Sequence, residues 1–273
     1  MDAMSRGRPT RRDQQRQATL DEIVRTARAL LVETHEISLR AVAQTMGMTA
    51  PALYRYVSSL EDLTLRVAAQ VYDDLLATLE ATAAPYEGDP AAQVVAGSTA
   101  FRQWSLQNPQ EFGLTFANPI TSGAKSVDLG ADLLGGPVEP PSGATVVGAE
   151  CTAAAHRFGN FFGRLVVEIW ERQGYPATGP VPAPAEESFT TSLTSKLNTD
   201  VPTEATWAFV RAWSRLYGTT ALEVFGHIDK EVVATGALYR DMMNDCAEIL
   251  GLQARRTDLQ RVVSDVLEAE PAP

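Results

Sequence analysis

The sequence predicts an all-α fold, and three observations support that prediction. Apolar residues recur at every third or fourth position along most of the chain, which is the period of an amphipathic helix. No stretch sustains the alternation of apolar and polar residues that is typical of strands. Eight of the 16 prolines fall in two segments, 119–145 and 174–186, which leaves long uninterrupted stretches elsewhere. We therefore expect about nine or ten helices and two long loops.

The predicted helices follow from these apolar stripes, taken in chain order. The first long helix has its stripe at Leu20, Ile23, Val24, Ala27, Leu30 and Leu31. The stripe of a second helix consists of Leu63, Val67, Val71, Leu75 and Leu79. A third helix has a wide stripe that is rich in aromatic residues, namely Phe158, Phe161, Phe162, Leu165, Val166, Ile169 and Trp170. Further helical stretches are expected at 91–107, 109–116, 203–225 and 230–250.

The composition excludes several classes of protein. A chain of 273 residues with 45% hydrophobic residues can bury a core without disulfides or a metal ion. Two cysteines, Cys151 and Cys246, are too few for a disulfide framework or a zinc cluster, so neither a metal site nor a cofactor is expected. No apolar run reaches the roughly 20 residues of a membrane-spanning helix, and no signal peptide follows the N-terminal arginines. We expect a cytoplasmic protein with no membrane partner.

Charge is divided unevenly along the chain. Residues 1–66 contain ten arginines and eight acidic residues, whereas the remainder contains 13 basic and 26 acidic residues. A polyanion such as DNA would be attracted to the N-terminal segment and repelled by the rest of the chain. Arginine-rich tails are often only solvated, so charge alone does not establish nucleic-acid binding.

The most specific pattern lies at residues 37–57. Ser38 can cap a short helix, Gly47 supplies a left-handed turn residue, and Thr49 can cap a second short helix with Pro51 in its first turn. Two such helices, crossed over a small core, form a helix-turn-helix, whose second helix can enter the major groove of DNA. An ordinary helix pair in a bundle is the alternative. The exposed side of the second helix, with Tyr54, Arg55 and Tyr56, favours DNA binding.

These residues resemble the tetracycline-repressor (TetR) family of bacterial regulators. The similarity covers residues 18–66 and rests on Ile23, Ala27, Ala29, Leu39, Val42, Ala43, Gly47, Leu53, Tyr54, Val57, Glu61 and Leu63. Residues 108–112 and 213–218 also resemble the family's second domain, the latter a Trp-His-Gly signature with Tyr217 in place of histidine. The resemblance implies a disordered basic arm at 1–17, a DNA-binding head at 18–63, and a ligand-binding and dimerisation body at 64–273.

The resemblance also implies roles for individual residues of the head. Arg40 is the best candidate for reading a base, because a guanidinium can donate two hydrogen bonds to guanine. The exposed part of the second helix is expected to contact DNA through Thr49, Ala50, Pro51 and Arg55. Tyr54 and Tyr56 match phosphate-anchoring positions, although either could pack in the core instead. Leu60 replaces the family's usual lysine, and Ser59 is expected to take over that phosphate contact.

The implied partners are a palindromic double-stranded DNA operator, a small apolar effector and a second copy of the chain. Candidate effector-binding residues in the body are Phe101, Trp104, Phe116, His156, Phe158, Phe162 and Trp170. Each of them could equally be core, since core and pocket aromatics share the same helical spacing. No phosphate loop, His-Glu-x-x-His or nucleophile-elbow motif indicates an enzyme. An all-α small-molecule-binding protein or enzyme with a vestigial helix-turn-helix remains the alternative to a repressor that its effector releases from DNA.

Overall fold

A computed structural model describes residues 10–118, 120–121, 145–174, 181–187 and 203–269. Within those ranges the chain forms eleven α-helices, a further short helical segment at 183–187 and no strand, which confirms the predicted all-α fold. None of the described helices is both long enough and apolar enough to cross a membrane. Most of the two predicted loops lies outside the described residues, although 183–187 is helical.

The first four helices build the head and connect it to the body. They are α1 (Arg11–Thr34), α2 (Leu39–Thr45), α3 (Ala50–Leu53) and α4 (Leu60–Ala83). Helix α1 begins earlier than the sequence predicted, so the disordered arm proposed for 1–17 is wrong for 11–17, and residues 1–9 lie outside the described part. The physical reason is a capping box, in which the Asp13 N–H donates to Thr10 Oγ1 and the Thr10 N–H donates to Asp13 Oδ2.

Seven helices form the body. They are α5 (Pro90–Gln107), α6 (Pro109–Phe112), α7 (Val146–Gln173), α8 (Thr203–Val224), α9 (Lys230–Thr235), α10 (Ala237–Ile249) and α11 (Arg256–Glu268). Helix α4 packs along α7 and α5, and α5 in turn packs against α7, α8 and α11. A π-helical turn, Gly113–Ala117, continues α6. The body core therefore lies around α5, which is buried along most of its length.

The end of the chain differs from the prediction of one helix at 230–250. Gly236 has a φ of 64° and ends α9, so α9 and α10 are separate helices. Left-handed backbone of this kind favours glycine and closes a helix. Helix α11 was missed, although its buried residues Leu259, Val262, Val263 and Val266 have helical spacing.

A buried polar cluster joins four helices of the body. Arg102 of α5 donates to both carboxylate oxygens of Glu223 in α8, at 2.6 and 3.1 Å, and to the Val233 carbonyl oxygen in α9 at 3.0 Å. Its guanidinium also lies 4.9 Å from the ring centre of Tyr239 in α10. Burying such an ion pair costs solvation energy, which bidentate hydrogen bonds offset. The cluster therefore fixes how α8, α9 and α10 meet α5.

We expect Gly97→Ala to destabilise the protein because α5 and α7 approach each other closely there. A Cβ at Gly97 would lie 2.7 Å from Cζ of Phe161 and closer still to Cε1. Overpacking of this kind costs about 1–3 kcal/mol in the free energy of unfolding, measurable by urea denaturation. Gly218→Ala is the matched control, because Gly218 lies inside α8 with open space at its Cβ position. It should be neutral or stabilise by about 0.5–1 kcal/mol. Equal effects of the two variants would contradict the close approach.

Candidate nucleic-acid interface and apolar cleft

The corner between α2 and α3 has the geometry of a helix-turn-helix. Gly47 adopts a φ of 63°, and the Met48 N–H then donates to the Ala43 carbonyl oxygen at 2.8 Å. Thr49 occupies the N-cap position of α3, but its side chain makes no capping hydrogen bond. Pro51 lies in the first turn, where its missing N–H has no cost. The two short helices close over Val42, Ala43, Leu53 and Val57, which are all buried.

One side of this corner is exposed and polar. The structure leaves Arg40, Thr49, Ala50, Pro51, Tyr54 and Arg55 at the surface, with Tyr54 54% exposed. Within the described part of the chain, the Arg40 guanidinium has no hydrogen bond or ion pair. Its five N–H donors are therefore available to another molecule. We call these six exposed residues the head surface.

Tyr56 differs from its neighbours because it is half-buried and packs against the core of the head. The guanidinium of Arg16 lies 5.5 Å from the centre of its ring, and Arg16 Nη2 donates to the Arg55 carbonyl oxygen at 2.9 Å. Arg16 thus ties α1 to the end of α3. The sequence prediction placed Arg16 in a free arm and missed this contact, which joins residues 39 positions apart.

Ser59 is the N-cap residue of α4. Its hydroxyl oxygen accepts from the Asp62 N–H at 3.0 Å. Burial would raise the pKa of Asp62, but hydrogen bonds from Ser58 and Arg66 outweigh it and hold that pKa below the usual range. The capping bond uses only an acceptor of Ser59, so its O–H remains a possible donor to phosphate.

The head is fastened to the body by an ion pair between α1 and α6. Arg28 Nε lies 2.6 Å from Oε1 of Glu111, and Arg28 Nη2 lies 3.0 Å from Oε2. Asp74 of α4 also pairs with Arg28. Burial acts to lower the pKa of Arg28, but the two carboxylates raise it above its usual value. Beside this pair, Gln110 Nε2 lies 3.0 Å from Nδ1 of His35. We call these contacts the head–body junction.

Behind the junction lies a cluster of aromatic rings. Phe112 and Phe116 of the α6 region stack at 5.1 Å, and the Tyr217 hydroxyl donates to the Phe116 carbonyl oxygen at 2.9 Å. Four of the predicted effector-binding residues belong to this cluster, namely Phe101, Phe116, Phe158 and Phe162. Of the other three, Trp104 and His156 are buried and Trp170 is half-buried. Their effector contacts stay a prediction, since no bound molecule tests them.

A separate apolar cleft opens among α5, α7, α8, α10 and α11. The empty space among its lining residues is about 670 Å³, a figure that includes open solvent at its mouth. Phe162 is the one predicted effector-binding residue among the described residues that line it. Cys246 also lines the cleft, and burial raises the pKa of its thiol to about 12, which keeps the thiol protonated and unreactive at neutral pH. Among the described residues no cluster of His, Cys, Asp or Glu could hold a metal ion.

Comparisons with known proteins agree with this architecture. Residues 94–246 match the family model described as the tetracyclin repressor-like C-terminal domain. The chain is 34% identical over 85 residues to the HTH-type transcriptional regulator Rv1816 of Mycobacterium tuberculosis, and 32% identical over 84 residues to the uncharacterized HTH-type transcriptional regulator Rv0681 of the same organism. Each alignment covers 31% of this chain, and it spans 36% and 38% of the two relatives, little more than a third of their length.

A solved structure extends the likeness of fold to nearly the whole chain. The crystal structure of SCO4313, a protein with a provisionally assigned regulatory role, has a TM-score of 0.50 and 22% sequence identity. The match covers 95% of this chain and 100% of SCO4313. The family model matches more than half of the chain, which establishes membership of the family. Membership of the Trp-His-Gly subgroup stays a prediction. The chain belongs to the tetracycline-repressor (TetR) family of helix-turn-helix transcriptional regulators, a family of regulators rather than enzymes.

Proposed function

We propose that this protein is a homodimeric repressor that binds a palindromic DNA operator through its head surface and is released by a small effector. The observation that carries the proposal is the exposed guanidinium of Arg40, which has no hydrogen bond or ion pair within the described residues, together with the exposed residues of α3. A motif that no longer binds DNA would not need to keep Arg40, Tyr54 and Arg55 exposed on its surface. The alternative, a small-molecule-binding protein or enzyme that no longer binds DNA, lacks a supporting observation of this kind.

The head-surface residues divide by what they can recognise. Arg40 and Arg55 have the donors to read base edges, and Ala50 and Pro51 can contact a thymine methyl group. Thr49, with its hydroxyl free of a capping bond, can reach either a base or a phosphate. Tyr54, Tyr56 and Ser59 would hold phosphates and so set the register of the head on DNA. Of these three, Tyr56 would do so from a half-buried position against the core.

A dimer would present two heads to one operator. Adjacent half-sites on one face of DNA lie about 34–36 Å apart, and two-fold symmetry makes the operator palindromic. Leu222, Phe225 and Val232, at the corner between α8 and α9, are exposed apolar residues that a second copy could cover. The polar cluster around Arg102 holds that corner in place. These features support an interface built from the C-terminal helices.

An effector could regulate DNA binding only by favouring one arrangement of the heads over another. Two of the described connections between head and body could transmit this difference. Helix α4 runs from the head into the body without a break, and the ion pair of Arg28 with Glu111 joins α1 to α6. We propose that these two connections couple the effector site to the spacing of the heads.

The decisive experiment is a selection from fragmented genomic DNA of the source organism with the purified full chain. A recovered palindrome, bound with strong salt dependence, would support the proposal. Recovery of no preferred sequence would reject it and favour the small-molecule-binding alternative. Light scattering on the complex should give two chains for each operator.

Arg40→Ala should weaken operator binding by about 1–3 kcal/mol and relax the preference at one base pair in each half-site. The physical reason is the loss of a bidentate hydrogen bond to a base edge. The measurement is a binding titration against all four bases at each operator position. Arg261→Ala on α11 is the control, because Arg261 is exposed but lies in the body. Equal weakening on every sequence would mean that Arg40 holds only phosphate.

Deleting residues 1–9 removes Arg6 and Arg8. The slope of log affinity against log salt concentration should therefore become less steep by up to about two. The deletion keeps Thr10 and therefore the capping box of α1. Base preference in the major groove should not change. The double substitution Arg6→Gln with Arg8→Gln should reproduce the effect at full length. An unchanged slope in both variants would show that the arm does not contact DNA.

Arg28→Met should destabilise the protein by about 3–5 kcal/mol, because it leaves the carboxylate of Glu111 buried at 5% side-chain exposure without its main partner. Glu111→Gln should cost less, since Arg28 keeps Asp74. Urea denaturation of both variants and of the double variant gives the coupling free energy, expected at about 1–3 kcal/mol. Additive effects would mean that the pair does not fasten the head to the body.

A further inference from the structure

The apolar cleft of the body has a distinct distribution of charge. Its walls are mainly aliphatic and aromatic, and the polar lining residues Ser98, Asn244 and Gln260 are uncharged. Gln260 Nε2 donates to Asn244 Oδ1 at 2.9 Å, so these two amides partly satisfy each other. Arg256 is the one charged residue among the described residues that line the cleft. Arg256 is exposed, whereas the other described lining residues are buried or half-buried, so the mouth of the cleft lies beside it.

The Arg256 guanidinium has no hydrogen bond or ion pair within the described part of the chain. The nearest acid in sequence, Asp258, is engaged by Arg255, which also binds Asp89 with two hydrogen bonds of 2.7 Å. The region beyond residue 66 carries twice as many acidic as basic residues. A guanidinium without a partner among the described residues, at the mouth of an otherwise uncharged cleft, favours an anionic group.

We propose that this cleft binds an apolar molecule that carries a single carboxylate, with the carboxylate at Arg256 and the apolar part between α5, α8 and α10. A guanidinium pairs with a carboxylate through two parallel hydrogen bonds, which are among the stronger polar contacts in proteins. The aliphatic walls would stabilise the apolar part of the bound molecule by removing its surface from water.

The cleft also contacts the residues that could transmit its occupancy. Trp213 lines the cleft, and its ring lies 5.8 Å from that of Phe101 and 5.9 Å from that of Phe158. One turn further along α8, Tyr217 is hydrogen-bonded to the Phe116 carbonyl oxygen beside α6. An occupant that moves Trp213 would therefore act on the helix that carries Glu111. In its role as an effector site, the cleft rests on the proposed function.

The test compares three ten-carbon probes, decanoate, 1-decanol and decylamine, which share an apolar chain but differ in head-group charge. Binding to the full chain is measured by calorimetry at pH 7.5 in the absence of DNA. Decanoate should bind at least tenfold more tightly than either other probe. Arg256→Gln should weaken decanoate at least tenfold and leave decanol within twofold. Arg261→Gln, an exposed arginine of the same helix outside the lining, should leave all three within twofold.

A second variant locates the apolar part of the probe. Ala212→Trp should fill the cleft and abolish binding of decanoate and decanol, with folding checked by circular dichroism and gel filtration. Where the tryptophan variant does not fold, Ala212→Leu should weaken both probes at least threefold. The proposal is overturned by a lack of decanoate binding, by equal affinity for the three head groups, or by unchanged binding in the filled variant.

The probe titrations and the operator selection together separate this proposal from the proposed function. A chain that binds decanoate in the cleft but recovers no operator would overturn the regulatory role and leave the binding site standing. A chain that binds its operator but not decanoate would overturn the cleft assignment alone. Reduced operator affinity on addition of decanoate, absent in Arg256→Gln, would support both.

Discussion

The contact between Arg28 and Glu111 fixes the position of the head, and much of the architecture depends on it. Glu111 is buried in α6 of the body, where an unpaired carboxylate would be costly. Its two hydrogen bonds from Arg28 therefore keep α1 against α6. Helix α4 supplies Asp74 to the same guanidinium, so one arginine joins the head, the connecting helix and the body.

The carboxylate that anchors the head belongs to a segment that the body core holds tightly. The π-helical turn after α6 presents the Thr115 and Phe116 carbonyl oxygens to the hydroxyls of Tyr72 and Tyr217. A π turn leaves backbone carbonyls less regularly paired than an α-helix, so side-chain donors from α4 and α8 satisfy them. The head therefore contacts α6, and the turn that follows α6 is held by α4 and α8 together.

The sequence predicted the head better than the body, for a physical reason. The caps, the turn glycine at Gly47 and the apolar spacing of α1 to α4 are local signals, each readable within a few residues. Arg28 and Glu111 lie 83 residues apart, and Arg102 and Glu223 lie 121 apart, so no spacing rule could pair them. Helical spacing predicted the aromatic stripe of α7. It could not show that Phe162 lines the cleft whereas Phe158 lies only in the ring cluster.

Coupling between an occupied cleft and the head surface would have to be reciprocal. An effector that weakens operator binding by some factor must itself be bound more weakly, by the same factor, when operator is present. Moving a two-state equilibrium from 1:99 to 99:1 requires roughly a 10⁴-fold difference in affinity between the two states. Trp213, which contacts both cleft and ring cluster, is well placed to generate such a difference, because packed aromatic rings rearrange between discrete states rather than yielding gradually. The affinity of the cleft for its occupant and the affinity of the head for DNA are then two measures of one conformational equilibrium.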